Sequence, residues 1–230
     1  MAFSPKESIS SWWILVFMAM FLWYRNIKYD RVMSVFILML GLVQLLEYAV
    51  YSGSNPHTTT RTMFITLWVQ CLVLAIASFV FLKSQNQDDP HIQVTTTLAG
   101  WNVFIFTIVF IAILIVVFFS GGYFNAEINN DLISWSQNDR PLMGNYTWLY
   151  FLGIFIPLFL LFASYSFADL GLALLILYAA LTAIYCASKY SENSMITIWC
   201  YYGVGFAFLA WLVGIYPLRD ITANVDENYL

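Results

Sequence analysis

The chain has 230 residues, of which 61% are hydrophobic, 19% aromatic and only 10% charged, and its net charge is −4. A soluble domain carries about 25% charged residues, so a chain this apolar would expose large apolar patches in water. The composition excludes an ordinary soluble domain. The lack of a basic run also argues against nucleic acid as a partner.

Seven apolar segments are long enough, or nearly so, to cross a bilayer as helices, which takes about 20 residues. They are predicted at about 9–24, 32–52, 62–82, 98–119, 146–165, 170–187 and 195–216. The segments are continuous apolar runs rather than alternating ones, which favours helices over barrel strands. The sequence therefore predicts an all-α integral membrane protein, one seven-transmembrane-helix bundle over residues 1–230, with a long outer loop at 120–145.

The basic residues of the connecting segments give an orientation. One face of the predicted bundle holds Lys6, Arg61, Arg140 and Lys189, and the other holds Arg25, Lys28, Arg31, Lys83 and Arg219. The two totals are nearly balanced, but the first loop usually dominates the positive-inside rule, and it carries three of these cations. This predicts the N-terminus outside and the C-terminus in the cytoplasm, in a multi-pass protein whose membrane the sequence does not identify.

Glu47 is the residue around which the sequence is organised. It lies inside the second apolar segment, whereas the interiors of the other segments contain no Asp, Glu, Lys, Arg or His. A charged side chain in hydrocarbon costs roughly 2.5 to 3.5 kcal/mol on insertion scales, so such residues generally have partners or functions. With a helical rise of about 1.5 Å per residue, we expect Glu47 to lie roughly 7 Å from the bilayer midplane, toward the outer face.

Other polar residues are predicted at similar depths. Gln44 lies three residues before Glu47 and therefore on the same helix face. Gln70 of the third segment falls near the level of Gln44, and Trp199 and Cys200 of the last segment fall near the level of Glu47. The sequence thus predicts a polar cluster in one half of the bundle, in which burial favours the protonated form of the acid.

No metal, cofactor or catalytic residue is predicted. Cys71, Cys186 and Cys200 lie in apolar segments without a CxxC pattern, and His57 and His91 lie in polar loops. The HxxxH and HExxH patterns of metal sites do not occur in the sequence. The last apolar segment contains no lysine that could form a Schiff base.

Several short motifs together resemble a family of uncharacterised multi-span membrane proteins from giant viruses and protists. They are residues 25–31, residues 44–48, Gln70, residues 131–135 and residues 199–201. The resemblance brings no known activity. It implies that the motif residues coincide with the depth-matched cluster, and that Trp135 of the long loop caps this cluster from outside.

Two functions stay open at this stage. The first is proton, ion or small-solute transport, a channel, or receptor-like ligand binding at a site made of Glu47, Gln44, Gln70, Trp199, Cys200 and Trp135. The second is a structural protein of a viral or organellar membrane assembly, in which the cluster only latches helices together at about 1 kcal/mol per hydrogen bond. An enzyme is not favoured. The expected partners are the lipid bilayer and an ion or small molecule, and the aromatic surface would allow a homo-oligomer.

Overall fold

The long apolar runs form helices, and a computed structural model describes residues 4–119, 122–129, 132–138, 140–141, 143, 146–165, 169–190 and 194–215. The helices are α1 (Pro5–Arg25), α2 (Asp30–Tyr51), α3 (Pro56–Lys83), α4 (Pro90–Phe119), α5 (Thr147–Ser164), α6 (Leu170–Lys189), α7 (Met195–Tyr201) and α8 (Gly203–Ile215). The strands are β1 (Phe124–Asn129), β2 (Leu132–Gln137) and β3 (Arg140–Pro141).

Six of the described helices, α1 to α6, are long and apolar enough to cross a bilayer. Their burial differs. In α2 and α5, 56% of the most apolar stretch is buried inside the protein, against 22% in α4. Helices α2 and α5 are therefore central, whereas α4 lies at the periphery and presents most of its apolar side chains outward. This arrangement is compatible with the predicted helical membrane bundle.

The starts of α1, α3 and α4 precede the predicted ones by four to eight residues. Each of these helices begins with a proline, which suits the first helical turn because its missing N–H has no partner there. Ser4 caps α1: its Oγ accepts the N–H of Glu7 at 3.3 Å, and Glu7 Oε2 accepts the N–H of Ser4 at 2.6 Å. The prediction counted only apolar residues and so missed these polar first turns.

The last apolar segment was predicted as one continuous helix over 195–216, and the structure divides it into α7 and α8 at Tyr202. Tyr178 of α6 donates its hydroxyl hydrogen to the Tyr202 carbonyl at 3.1 Å. Gly205 allows this approach, because a Cβ at that position would collide with the Tyr178 hydroxyl. Backbone bonds from Tyr202 to Ile198 and from Phe206 to Tyr202, both 3.2 Å, continue across the junction.

A small antiparallel sheet replaces the loop predicted at 120–145. Its strand order is β1-β2-β3, and Ala126 pairs with Trp135 across the first two strands. Phe124, Ala126 and Trp135 are buried on one face of the sheet. The Phe124 ring lies 6.2 Å from the Phe64 ring of α3, so this face packs on the first half of that helix. Alternation of buried and exposed residues gives the strands one apolar face, a pattern that a search for long apolar runs does not detect.

Arg25 joins three elements at the opposite end of the bundle. Its guanidinium donates to both carboxylate oxygens of Asp30, at 2.7 and 2.8 Å. It also donates to the carbonyl of Trp211 at 2.7 Å and to that of Ala210 at 3.1 Å, both in α8. Both side chains of the ion pair are almost fully buried. The basic segment between α1 and α2, whose cations indicated the membrane orientation, is therefore also part of the helix packing.

A second ion pair lies beside the first, between Lys28 and Asp169. Asp169 caps α6 by accepting the N–H of Leu172 at 3.0 Å, and it also accepts the hydroxyl hydrogen of Tyr29 at 3.3 Å. Burial, and then the neighbouring Asp169 carboxylate, raise the pKa of Tyr29, which keeps its hydroxyl a neutral donor. The connection between α1 and α2 is thereby tied to the start of α6.

Substitution of Arg25 tests this anchor. Arg25→Gln is expected to lower the free energy of unfolding by about 3 kcal/mol, because it leaves the buried Asp30 carboxylate without its counter-charge. This corresponds to a fall of roughly 10 °C in the melting temperature in detergent. Arg31→Gln is the matched control, because Arg31 is exposed and its guanidinium lies 5.5 Å from the Trp23 ring. Equal melting temperatures for the two variants would contradict the anchoring role.

Candidate functional site

Glu47 lies one turn before the end of α2, at the end of the bundle that carries the sheet. Its side chain is only 6% exposed. Ser8, in the second turn of α1, places its Oγ 3.4 Å from Glu47 Oε2, a long hydrogen bond in which the hydroxyl donates. The acid is therefore held inside the protein, and α1 supplies one of its partners.

A small cavity adjoins the Glu47 side chain. Its lining residues come from α2, β2, α7 and the residue before α7: Glu47, Tyr51, Leu132, Ile133, Ser194, Ile198 and Tyr201. The cavity measures about 10 Å³, close to the minimum that holds one water molecule. Four of the lining residues carry a carboxyl or hydroxyl group, and such groups can bind a water molecule or pass a proton.

Gln70 belongs to a separate network deeper in the bundle. Its side-chain nitrogen donates to the Met39 carbonyl of α2 at 2.7 Å, and its oxygen accepts the Tyr150 hydroxyl hydrogen of α5 at 2.7 Å. The Tyr150 hydroxyl also lies 4.0 Å from Cys200 Sγ in α7. This network, Gln70, Tyr150 and Cys200, connects α2, α3, α5 and α7, and each of its three side chains is fully buried.

The predicted cluster is thus divided between two places. Gln44 is fully buried one turn deeper in α2 than Glu47, on the same helix face. Cys200 lies near enough to Glu47 for an electrostatic interaction between the two side chains. Among the described residues, however, the cavity beside Glu47 is lined by neither of these residues nor by Gln70.

Trp199 and Trp135 each pack in a different part of the structure. The indole N–H of Trp199 donates to the Ala179 carbonyl of α6 at 3.1 Å, and its rings meet those of Tyr150 and Phe151 edge to face. Trp135 is 1% exposed on the buried face of the sheet, and its indole N–H has no hydrogen-bond partner within the described residues. The strand that carries Trp135 does cover the Glu47 cavity, but through Leu132 and Ile133.

Sequence reasoning missed Ser8, Tyr150 and Ser194, whereas Tyr201 belongs to the motif at residues 199–201. One signal could have found Ser8: Ser4 followed by Pro5 and Glu7 is a capping box, which starts α1 four residues earlier than the apolar run does. The other two lie in or beside segments that were recognised as helical. Their contacts depend on the rotation of each helix about its own axis, which a depth estimate leaves undetermined.

No metal centre forms in the part of the chain that the structure describes, since no three His, Cys, Asp or Glu side chains there come together. Cys71, Cys186 and Cys200 are buried free thiols. The Cys71 thiol donates to the Tyr150 carbonyl at 3.5 Å, which links α3 to α5.

Comparison of the chain with family models, with curated proteins and with solved structures finds no match. The assignment of function therefore depends on the geometry of the described residues.

The bond between Gln70 and Tyr150 can be measured with a double-mutant cycle. We expect Tyr150→Phe and Gln70→Leu to be coupled by about 1 kcal/mol in detergent unfolding, because each removes one partner of the same buried hydrogen bond. Tyr24→Phe serves as the control partner, because Tyr24 is 85% exposed. Its combination with Gln70→Leu should be additive, and additivity in the Tyr150 cycle would show that the bond does not contribute.

Proposed function

We propose that this chain is a multi-pass integral membrane protein with seven spans, its N-terminus outside and its C-terminus in the cytoplasm. In this arrangement α7 and α8 together form the last span. Residues 195–215 cover about 30 Å at the helical rise, which matches the hydrocarbon thickness of a bilayer. The hydrogen bonds across Tyr202 support the joining of the two helices into one interrupted span.

We further propose that Glu47 is the protonatable centre of a transport or ligand-binding site that opens from the sheet end. The observation that carries this proposal is the cavity at Glu47, which has room for one water molecule and is also lined by Tyr51, Ser194 and Tyr201. A latch between helices requires no such space.

The first half of the last span supports the same conclusion. Here α7 contributes residues to the Glu47 cavity and ends at Tyr201, beside the interruption. Carriage of protons, ions or small polar solutes fits a site of this size better than a bulky substrate does.

A structural role is the second candidate, and the network of Gln70, Tyr150 and Cys200 favours it. The Gln70 side chain uses both its nitrogen and its oxygen in bonds to neighbouring helices. Under this alternative Glu47 would also serve only packing, and Glu47→Leu would lower the melting temperature without loss of any flux.

Proton flux into liposomes that contain a pH-sensitive dye tests the proposal. Glu47→Gln is expected to reduce flux to the level of empty liposomes while the melting temperature stays close to that of the unmodified protein, because glutamine keeps the shape but cannot bind or release a proton. Glu127→Gln is the matched control, since Glu127 is an exposed carboxylate on β1. It should leave flux unchanged.

Two outcomes would contradict the proposed site. One is a Glu47→Gln protein whose flux equals that of the unmodified protein. The other is an unmodified protein that carries no protons and shows no pH-dependent binding of ions or small solutes, which would leave the structural role.

A further inference from the structure

A groove of about 460 Å³ opens on the outside of the bundle between α1, α6 and the junction of α7 with α8. Its walls include Lys6, Ser10 and Ile14 from α1, Tyr178 from α6, and Tyr201 and Val204 from the last span. The groove is far larger than the cavity beside Glu47. Tyr201 lines both spaces.

The surfaces on either side of the groove are apolar. On α1, Trp13 and Phe17 are exposed, and on α6, Leu177 and Leu181 are exposed. Large exposed apolar side chains on helices that can cross a bilayer face the acyl chains of lipids. The mouth of the groove therefore opens sideways into the lipid, and the molecule nearest to it in a membrane is a lipid.

The α1 wall of the groove changes from charged to apolar along its length. Lys6, Ser10 and Ile14 recur every four residues and so form one stripe along the helix, about 12 Å long. The charged end of the stripe lies at the end of the bundle where a helix would leave the hydrocarbon. This order of groups matches a phospholipid, whose anionic phosphate, ester region and acyl chains follow one another at the same depths.

Lys6 is the cation at the charged end of the groove. Glu7 also lines the groove, and one oxygen of its carboxylate accepts the Ser4 N–H in the cap of α1. The two ion pairs of the described residues, Arg25 with Asp30 and Lys28 with Asp169, do not include Lys6. Its ammonium group is exposed and can donate to phosphate oxygens.

We propose that this groove is a lateral binding site for one phospholipid, with the phosphate at Lys6 and an acyl chain along Ile14 and Val204. The site requires that the chain lie in a membrane, but it does not require that Glu47 carry protons. A lipid in the groove contacts Tyr201 from outside and thereby bears on the wall of the Glu47 cavity.

Native mass spectrometry of the purified full chain with added dioleoylphosphatidylglycerol tests the site. The unmodified protein should retain one lipid, and Ser10→Trp should weaken retention about tenfold, because the indole fills the groove from an exposed position on α1. Ile108→Trp is the control, since it places the same side chain on the exposed face of α4, a helix that contributes no residue to the groove. Equal retention by the two tryptophan variants, or no retained lipid in the unmodified protein, would overturn the proposal.

Lys6→Gln tests the position of the phosphate. It should weaken retention of phosphatidylglycerol about fivefold, and it should leave retention of dioleoylglycerol, which has no phosphate, unchanged. Equal weakening for both lipids, or for neither, would show that Lys6 does not bind the phosphate. Lipid retention is measured without any pH gradient. A failure to retain lipid would therefore contradict the lipid site without bearing on the proton-flux experiment.

Discussion

A carboxyl group that is buried needs partners inside the protein, and at the sheet end of this protein three elements meet at Glu47. Ser8 of α1 donates to its carboxylate, and Ile133 of the sheet and Tyr201 of α7 line the cavity beside it. The three elements are far apart in the chain. The surroundings of the buried acid therefore depend on the whole tertiary arrangement and not on α2 alone.

The polar residues of the bundle interior form two layers with different physical character. Near the sheet, Glu47 adjoins a space of water size that is also lined by Tyr51, Ser194 and Tyr201. Deeper, Gln70 and Tyr150 form direct hydrogen bonds that connect neighbouring helices. A network of direct bonds fixes one packing arrangement, whereas a carboxyl group beside a small cavity can change its protonation or its bound molecule. The first layer suits a function, and the second layer suits the stability of the scaffold that holds it.

The two ends of the bundle also differ in how tightly their helices are held together. At the end opposite the sheet, Arg25 and Lys28 pair with buried carboxylates and tie α1 and α2 to α8 and α6. Paired charges with satisfied hydrogen bonds are costly to separate, so this end is held together tightly. At the sheet end lie the Glu47 cavity and the groove, both lined by Tyr201. Any opening of the bundle is therefore expected at the sheet end.

The sequence by itself determined the helical segments and singled out Glu47 as an acid within one of them, and this side chain is buried in the structure. Long apolar runs have few alternatives to a membrane helix, and an acid within one is costly enough to be informative without knowledge of its neighbours. The bounds of α2, α5 and α6 were predicted within two residues at their starts, because the apolar run begins where the helix does. The polar first turns of α1, α3 and α4 carry no apolar signal and were missed.

Only the tertiary structure decided which residues meet. Depth along a helix follows from residue number, but the direction in which a side chain points depends on how each helix is rotated against its neighbours. For this reason the hydrogen-bond partners of Gln70 and Trp199 did not follow from their depth. Their partners are Tyr150 and the Ala179 carbonyl. The sheet and the contact of Ser8 with Glu47 likewise depend on pairings between distant parts of the chain, which no local pattern encodes.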